Sequence, residues 1–467
     1  MYQLIRLVVL IRGWFVQRRM RKALKQPESA QRLLLKQILA TNAQTRFGKE
    51  HNFEELGSHR DYAQKVSVNT YETLRPYVDE IASGRGDILT NAPPFMFATT
   101  SGTTDKPKLI PVTSRCRDAI AALGRFWLFR TLVDHPDVLR HCTFALTSPA
   151  IEGHTEAGIP HGAISGLINQ KVPAVIRARY SVPYEVALVE NYDLRYYLAM
   201  RLAVARRTSM ICTANPSTVL RLVEIGEEKG EHIIQAVHDG ALGIKEEDLP
   251  HDKPEQMANL QLIKEHIRAN PKRARFLSEC FKSTGGLYPK DIWPELKVLG
   301  CWLGGSVGIH AKKVRGYLGP DVAMRDLGFR ATEGTLAIPI SDEISAGVPS
   351  LNAYFFEFIP EEEIESPDRN YLLAHELELG KRYYILITSE GGLYRYDIND
   401  VIEVKGFYEK TPLIAFVRKG RDMVNITGEK LHVNQVLDAL RSAEESTGIG
   451  WVQAQIIPDV PEVRYEL

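Results

Sequence analysis

The chain has 467 residues, enough for two or more domains around a substantial hydrophobic core. Its 58 basic and 58 acidic residues cancel, so the composition gives no basic excess of the kind that marks nucleic-acid-binding proteins. The five cysteines are scattered without Cys-x-x-Cys spacing, which argues against a disulfide framework or a zinc site and favours a reducing compartment. We therefore expect a cytoplasmic protein that acts on small molecules and not on nucleic acid, and the sequence leaves its oligomeric state open.

The N-terminal segment 1–16 is strongly apolar. Arg6 and Arg12 interrupt it and no small-residue cleavage pattern follows, so neither a membrane-spanning helix nor a signal peptide fits. We predict an amphipathic helix that packs on the protein, with further helix over 23–56. Peripheral membrane contact is the alternative, because a cluster of basic residues follows at positions 18, 19, 21 and 22.

Segment 97–113 reads Phe-Ala-Thr-Thr-Ser-Gly-Thr-Thr-Asp-Lys-Pro-Lys-Leu-Ile-Pro-Val-Thr and predicts a phosphate-binding turn. Gly102 allows a tight turn that exposes backbone N–H groups, while hydroxyls and two lysines add donors and positive charge. Apolar flanks predict short strands over Phe95–Phe97 and Leu109–Ile110, which would close the loop as a hairpin. The G-x-x-x-x-G-K-[ST] pattern is absent, and an ordinary surface loop is the alternative.

The elements around this segment alternate between strand and helix, which predicts a parallel α/β sheet. A strand over Val66–Tyr71 is expected to lead into a short helix. After the loop, Ser114 is expected to cap a helix that reaches Leu132. Further strands are predicted over Cys142–Leu146 and Met210–Thr213, and another from Val298 into a glycine turn.

Two carboxylates in the second half of the chain are candidate site residues. Glu333 follows Thr332 and a short apolar segment, so it is expected to project from a strand end, where open α/β sheets bind ligands. Closely spaced strands over 354–417 predict a small bent antiparallel sheet or barrel, and Asp400 within it has lone pairs for two ribose hydroxyls. The plainer alternatives are a surface-turn glutamate and a tight turn over 397–400.

Three stretches in this order carry a family resemblance. They are segment 97–113, the Arg-Ala-Thr-Glu-Gly of 330–334, and the Gly-Leu-Tyr-Arg-Tyr of 392–396, which runs on to Asp400. Together they resemble the auxin-responsive Gretchen Hagen family of acyl-acid-amido synthetases, a branch of the acyl-adenylate-forming superfamily. Phrases outside the nucleotide motifs, such as Asn-Ala-Gln-Thr-Arg-Phe-Gly at 42–48, extend the resemblance over most of the chain.

The resemblance implies an α/β fold with a large N-terminal adenylate-forming domain over 1–420, built from mixed and parallel sheets, helices and a small β-barrel. A hinge over 421–430 and the beginning of a smaller α+β C-terminal domain over 431–467, apparently truncated, would follow. Asn399 stands where the family usually has glycine, a small departure because asparagine tolerates the left-handed backbone.

The resemblance also implies roles for individual residues. The loop residues that would hold the ATP phosphates are Thr100, Ser101, Gly102, Thr103, Thr104 and Lys106. Thr332 and Glu333 match positions that meet the α-phosphate and Mg²⁺, and Asp400 matches the ribose-binding aspartate. Lys430 falls where the family has a lysine near the nucleotide, so we assign Glu333 and Lys430 as catalytic, with Glu333 also as the metal ligand.

The implied cofactors are ATP and Mg²⁺, and the implied partners are a carboxylic acid and an amine such as an amino acid. The acid would attack the α-phosphorus to form an acyl-adenylate, and the amine would then attack its carbonyl to form an amide. Two alternatives stay open: an acyl-coenzyme A ligase of the same superfamily, and a truncated, non-catalytic ATP-binding protein. Trp302 and the helix over 113–132 are candidate lining of the acyl pocket.

Overall fold

The structure, a computed structural model, describes residues 2–99, 107–170, 172 and 174–420, followed by the short segments 423–424, 431–432, 439–440, 442–444, 446–448, 457–459 and 464–466. In these residues no helix is both long and apolar enough to cross a membrane. The α-helices up to position 420 are α1 (Tyr2–Lys25), α2 (Pro27–Asn42), α3 (Arg46–Glu50), α4 (His59–Lys65), α5 (Tyr71–Ala82), α6 (Ser114–Asp134), α7 (Ile164–Gln170), α8 (Ala174–Arg177), α9 (Tyr192–Val204), α10 (Ser217–Glu228), α11 (Gly230–Asp239), α12 (Pro254–Glu265), α13 (Pro271–Thr284), α14 (Pro289–Ile292) and α15 (Gly308–Arg315).

The strands over the same part of the chain form a parallel sheet and several antiparallel groups. They are β1 (Met96–Thr99), β2 (Leu109–Val112), β3 (Cys142–Ala145), β4 (Gly153–His154), β5 (Pro160–Gly162), β6 (Thr208–Cys212), β7 (Val298–Cys301), β8 (Ala323–Asp326), β9 (Phe329–Ala331), β10 (Gly334–Ile338), β11 (Val348–Pro349), β12 (Tyr354–Pro360), β13 (Arg382–Ser389), β14 (Tyr396–Tyr408) and β15 (Thr411–Lys419).

The predicted parallel sheet is confirmed. It has the order β3-β6-β7-β8, and each neighbouring pair is parallel. All four residues of β7 are buried, as expected for a strand covered on both faces. Buried side chains of α9 and α10 share a hydrophobic cluster with β6 and β7, so helices supply that cover.

The hairpin predicted around the phosphate-binding segment is confirmed in its two strands. β1 and β2 pair antiparallel from Met96 opposite Val112 to Thr99 opposite Leu109. The loop 100–106 between them lies outside the described residues. The helix after β2 is also confirmed, but its N-cap is Thr113, whose hydroxyl accepts the Cys116 N–H, and not Ser114.

The antiparallel assembly predicted for the second half of the chain is present. β12, β13, β14 and β15 form one antiparallel sheet, and β9, β10 and β11 form another. A bridge between Gly347 and Ile414 links the two sheets beside β11 and β15. The cluster that forms the largest core includes Phe356, Phe358 and Ile385 of the first sheet.

One predicted strand was wrong. Val66–Tyr71 is not a strand, because only Asn69 makes a bridge, to Tyr396, while the Val66 carbonyl accepts from the Arg395 side chain. The tight turn over 397–400, which was the plainer alternative for Asp400, does not form either, since β14 runs without interruption from Tyr396 to Tyr408.

A bulge inside β14 lies where the alternative interpretation placed a turn. Leu386 pairs with Asp397 and Tyr384 pairs with Val401, so residues 398–400 are opposite a single residue of β13. Asn399 has a φ of 58° there, as expected from its tolerance of the left-handed backbone. The bulge separates Asp400 from the regular ladder with β13, while Asp400 still pairs with Lys419 on β15.

The N-terminal helical layer is confirmed. α1 packs against α6, and α2 buries Leu34, Leu35, Ile38 and Leu39. The domain limits at 420 and 430 stay predictions, because Lys430 and most of 421–467 lie outside the described residues.

Candidate active site

A cavity of about 920 Å³ lies where the parallel sheet meets the antiparallel part of the chain. The carboxyl ends of the four parallel strands contribute one wall, through Ser148, Ala214, Trp302 and Asp326. Segments of β9, β10 and β14 contribute the facing wall. Open α/β sheets bind ligands outside the carboxyl ends of their strands, so this is the expected place for a substrate site.

Glu333 and Thr332 form the two-residue turn that joins β9 to β10, and both line the cavity. Glu333 is therefore in a turn and not at a free strand end, but it is half-buried and not a surface glutamate. The pKa of Tyr396 lies far above its usual value. Burial is the largest cause, and the negative charge of the nearby Glu333 carboxylate adds to it. The Tyr396 hydroxyl and the Glu333 carboxylate are therefore neighbours at the edge of the cavity.

Gly334 fixes the path of this turn. Its φ of 151° lies in the region that side chains rarely adopt, and an added Cβ would stand 1.8 Å from the Tyr354 hydroxyl. That hydroxyl accepts the Thr335 N–H at 3.3 Å, so β10 is tied to β12 directly behind Glu333. Only glycine lets the turn approach β12 this closely.

Asp400 lies in the β14 bulge with 2% of its surface exposed, and it lines the same cavity. Its carboxylate forms an ion pair with Lys419, the residue opposite it on β15. The pKa of Asp400 is raised to about 7. Burial is the largest cause, the Lys419 cation opposes it, and the carboxylates of Glu333 and Asp397 add to it. A group that changes charge near neutral pH is typical of functional sites.

Asp326 organises the wall formed by the parallel sheet. Its two carboxylate oxygens accept the backbone N–H groups of Leu303 and Gly328, each at 2.7 Å. Burial raises the pKa of Asp326 to about 6, although these hydrogen bonds act in the opposite direction. The Trp302 indole donates to the Gly328 carbonyl at 3.1 Å, so the turns after β7 and β8 are held together.

Arg330 brings a positive charge to the cavity. It is half-buried on β9, and its Nε donates to the Leu327 carbonyl at 2.9 Å. Within the part of the chain that the structure describes, its guanidinium group forms no ion pair. Burial lowers its pKa. A half-buried cation without a paired anion loses part of its hydration, so an anionic ligand would stabilise it.

The β1–β2 hairpin opens toward this cavity, because Thr99 at its first edge and Lys108 near its second both line it. Tyr71 of α5 accepts the Leu109 N–H at 2.8 Å and carries Lys108 over its ring at 5.7 Å, which fixes the start of β2. The candidate phosphate ligands Thr100, Ser101, Gly102, Thr103, Thr104 and Lys106 lie outside the described residues, as does Lys430.

The structure therefore brings together Thr332, Glu333 and Asp400, three of the residues singled out in the sequence. Trp302 and Ile120 of the helix over 113–132 line the same cavity, and their role in holding the acyl group stays a prediction. Sequence reasoning did not assign Arg330, Tyr396, Lys419 or Asp326 to the site. Arg330 and Tyr396 lie inside the motifs at 330–334 and 392–396, so their position in those motifs could have identified them. Lys419 could be assigned only from the strand register that places it opposite Asp400.

No group of three or more His, Cys, Asp or Glu side chains able to hold a metal ion occurs among the described residues. Mg²⁺ at nucleotide sites is commonly bound by one or two carboxylates together with substrate phosphates and water. A half-buried carboxylate at Glu333, facing a cavity large enough for a nucleotide, fits such a shared site.

Comparison with protein families decides which family this fold and site represent. A model of the GH3 family N-terminal domain matches residues 16–324, and a model of the GH3 family central domain matches residues 347–419. The chain belongs to the GH3 family. The resemblance to the auxin-responsive Gretchen Hagen enzymes is thereby confirmed.

Several GH3 relatives match nearly the whole chain. Indole-3-acetic acid-amido synthetase GH3.4 of Arabidopsis thaliana is 24% identical over 438 residues, which cover 90% of this chain and 71% of the relative. The 4-substituted benzoates-glutamate ligase GH3.12 of the same plant is 23% identical, covering 90% and 74%. Jasmonoyl--L-amino acid synthetase JAR4 of Nicotiana attenuata is 22% identical, covering 85% and 70%.

A solved GH3 structure confirms the predicted fold class. The AtGH3.15 acyl acid amido synthetase in complex with 2,4-DB superposes with a TM-score of 0.80 at 18% sequence identity, covering 93% of this chain and 75% of that one. The shared α/β fold therefore persists although few residues are identical.

Proposed function

We propose that this GH3 protein is an ATP-dependent acyl-acid-amido synthetase that activates a carboxylic acid as an acyl-adenylate and transfers the acyl group to an amine, an amino acid by analogy with its relatives. The observation that carries the proposal is the convergence of Thr332, Glu333 and Asp400 on one cavity beside the β1–β2 hairpin. The three motifs are distant in sequence, and a shared cavity is what a nucleotide site built from them requires.

The reaction proceeds in two steps. A carboxylate oxygen of the acid forms a bond to the α-phosphorus of ATP while the bond to the β-phosphate oxygen breaks and pyrophosphate leaves. The amine nitrogen then attacks the acyl carbonyl, the bond between the carbonyl carbon and the AMP oxygen breaks, and the nitrogen loses a proton to solvent. No protein nucleophile is needed.

The cavity residues bind and orient the substrates in both steps. When the nucleotide and the metal ion are bound, the Thr332 hydroxyl would bind the α-phosphate and the Glu333 carboxylate would hold Mg²⁺. Mg²⁺, when bound with ATP, supplies positive charge that offsets the phosphates. By the family resemblance, the residues over 100–106 would bind the phosphates and Lys430 would act near the nucleotide, with a domain over 1–420 and a hinge over 421–430.

The five cysteines are free thiols, as is usual in a reducing compartment, so we propose a cytoplasmic location.

Asp400 binds the ribose hydroxyls in its ionised form, so ATP binding should depend on pH. With a pKa raised to about 7, Asp400 is mostly protonated at about pH 6 and mostly ionised at about pH 8. We expect the KM for ATP to fall as pH rises through this range, and Asp400→Asn to raise it about tenfold or more at high pH while removing that part of the pH dependence.

The measurement is the ratio of ATP KM values, variant over wild type, across this range, because the titration of ATP itself cancels in the ratio. A ratio that does not change with pH would show that Asp400 does not bind ATP as an anion.

The raised pKa of Asp400 also affects stability. The folded protein binds more protons than the unfolded chain between about pH 4 and about pH 7, so the Asp400 contribution to the free energy of unfolding decreases as pH rises through that window.

Arg330 binds the carboxylate of the acid before it attacks. We expect Arg330→Gln to raise the KM for the acid about tenfold or more, because it removes a charge-assisted hydrogen bond, and to leave the KM for ATP nearly unchanged. Arg330→Lys keeps the charge and should be affected less. An increase confined to the KM for ATP would place Arg330 against the phosphates instead.

The experiment that tests the proposed function is Mg²⁺-dependent exchange of labelled pyrophosphate into ATP, screened over aryl and alkyl carboxylic acids. Exchange that requires one of the acids establishes adenylation, and amide formation with added amino acids then identifies the acceptor. Thioester formation with coenzyme A in place of amide would support the acyl-coenzyme A ligase. ATP binding without exchange for any acid would support a non-catalytic protein.

A further inference from the structure

Helix α1 is held in one orientation along its length. Gly13 packs against Phe129 of α6 so closely that an added Cβ would stand 2.3 Å from the Phe129 Cβ. At the start of α1, the Tyr2 hydroxyl donates to the Pro136 carbonyl at 2.6 Å. At the other end, the Leu24 carbonyl accepts from the Thr411 hydroxyl at 2.8 Å. The face of α1 that points away from α6 is therefore fixed by packing.

This outer face is apolar over the first four turns. Six large apolar side chains on it are between 42% and 64% exposed, and they recur at the three- and four-residue spacing of one helix face. They are Leu4, Leu7, Val8, Ile11, Trp14 and Phe15. A contiguous exposed patch of this kind marks an interaction site, unlike single exposed apolar residues.

The same helix carries a concentrated positive charge. It contains seven basic residues and no acidic one, whereas the whole chain is neutral. The basic residues are Arg6, Arg12, Arg18, Arg19, Arg21, Lys22 and Lys25. Five of them follow the apolar patch in the last two turns, and Arg18 lies over the Trp14 ring at 5.7 Å from its centroid.

We propose that the outer face of α1 binds the surface of an anionic lipid bilayer, with the apolar patch inserted at the level of the headgroups and the basic turns against the lipid phosphates. A helix with Leu, Trp and Phe on one face and a high Lys and Arg content has the composition of helices that lie in the membrane interface. Tryptophan at the boundary between apolar and basic surface is the arrangement found at the headgroup level.

Charge distinguishes this partner from a second copy of the chain. Two copies that met through α1 would bring two basic helices toward each other, although Arg21 of each is paired with Glu409 at 2.8 Å. Like charges facing each other disfavour association. An anionic surface attracts every basic residue near it, and the apolar patch adds the area that anchors the helix. The adenylation site is separate from α1, since no α1 residue lines the cavity among the described residues.

The test is flotation of the full-length protein with lipid vesicles of two compositions, phosphatidylcholine alone and equimolar phosphatidylcholine with phosphatidylglycerol. We expect the protein to float with the anionic vesicles and to remain in solution with the neutral ones. Raising the salt concentration should weaken binding, because the electrostatic part is screened.

Two variants separate the apolar and basic contributions. Trp14→Asp with Phe15→Asp should lower partitioning to anionic vesicles about tenfold or more, since it removes the aromatic anchors and adds negative charge. Arg19→Glu with Lys22→Glu should lower it by a similar factor. Thermal unfolding and pyrophosphate exchange of both variants should match wild type, which shows that the fold and the cavity are intact.

Matched controls lie elsewhere on the surface. Leu379 is 65% exposed, so Leu379→Asp alters an equally exposed apolar residue, and Lys36→Glu with Lys272→Glu reverses two exposed charges outside α1. Neither control should change vesicle binding. Flotation with neither vesicle type, equal flotation with both, or equal loss in the controls would overturn the proposal. So would a concentration-dependent dimer that Trp14→Asp disrupts in the absence of vesicle binding.

Discussion

Glu333→Gln is expected to lower the rate of acid-dependent pyrophosphate exchange about a hundredfold to a thousandfold. Glutamine has nearly the same shape as glutamate, but it has no negative charge with which to bind Mg²⁺ in the proposed reaction. The loss should therefore appear in the rate of adenylation and not in the stability of the fold. The measurement is the initial exchange rate at saturating ATP and acid, with thermal unfolding of both proteins.

A matched control for this change is Glu362→Gln, which removes the charge of an exposed glutamate outside the cavity. Its exchange rate should equal that of the wild type. Exchange at an undiminished rate in Glu333→Gln, at every Mg²⁺ concentration, would show that Glu333 is only a turn residue.

The second large effect concerns the buried ion pair between Arg395 and Glu357. The two side chains are 2% and 1% exposed, and Arg395 Nε is 2.9 Å from Glu357 Oε2. The Arg395 guanidinium also donates to the carbonyls of Ala63 and Val66, and His59 is hydrogen-bonded to Glu357. This network ties α4 and the segment after it to the sheet that carries Asp400.

Arg395→Met should lower the free energy of unfolding by about 3–5 kcal/mol, because it leaves the Glu357 carboxylate buried without its cation. The measurement is urea denaturation. Arg75→Met, which breaks the exposed pair with Glu72, is the control and should cost no more than about 1 kcal/mol. An equal effect of the two substitutions would mean that the buried pair adds nothing beyond a surface pair.

The same network makes stability depend on pH at the acidic end. Burial opposes ionisation of Glu357, but hydrogen bonds from His59 and Arg395 outweigh it and hold its pKa below the usual range. The ionised carboxylate therefore stabilises the fold above the pKa of an unfolded glutamate. This contribution is lost as pH falls through the folded-state pKa.

Much of the fold was predictable because its elements have strong local patterns. The buried run in β7 and the apolar flanks of segment 97–113 each indicate their strand without tertiary information. Asn399 was compatible with a left-handed backbone, and the bulge places it there. The family motifs identified Thr332, Glu333 and Asp400, whose meeting in one cavity no local pattern encodes.

The errors arise where tertiary contacts replace local pairing. Val66–Tyr71 has the β-branched composition of a strand. However, the Val66 carbonyl accepts a hydrogen bond from the Arg395 guanidinium, and Asn69 makes the one β-bridge of this segment, to Tyr396. Lys419 was missed for a related reason, since its ion pair with Asp400 follows from the register of β14 and β15, which a sequence alone does not fix.

Transfer of oxygen from the acid to AMP shows directly whether this GH3 chain activates an acid by adenylation. An acid that supports pyrophosphate exchange is labelled with ¹⁸O in its carboxylate, and the mass of the AMP formed during amide synthesis is measured by mass spectrometry. Adenylation should place one ¹⁸O atom in each AMP, because the attacking carboxylate oxygen stays on the α-phosphorus when the amine displaces AMP. Unlabelled AMP, or ¹⁸O found in inorganic phosphate, would contradict it.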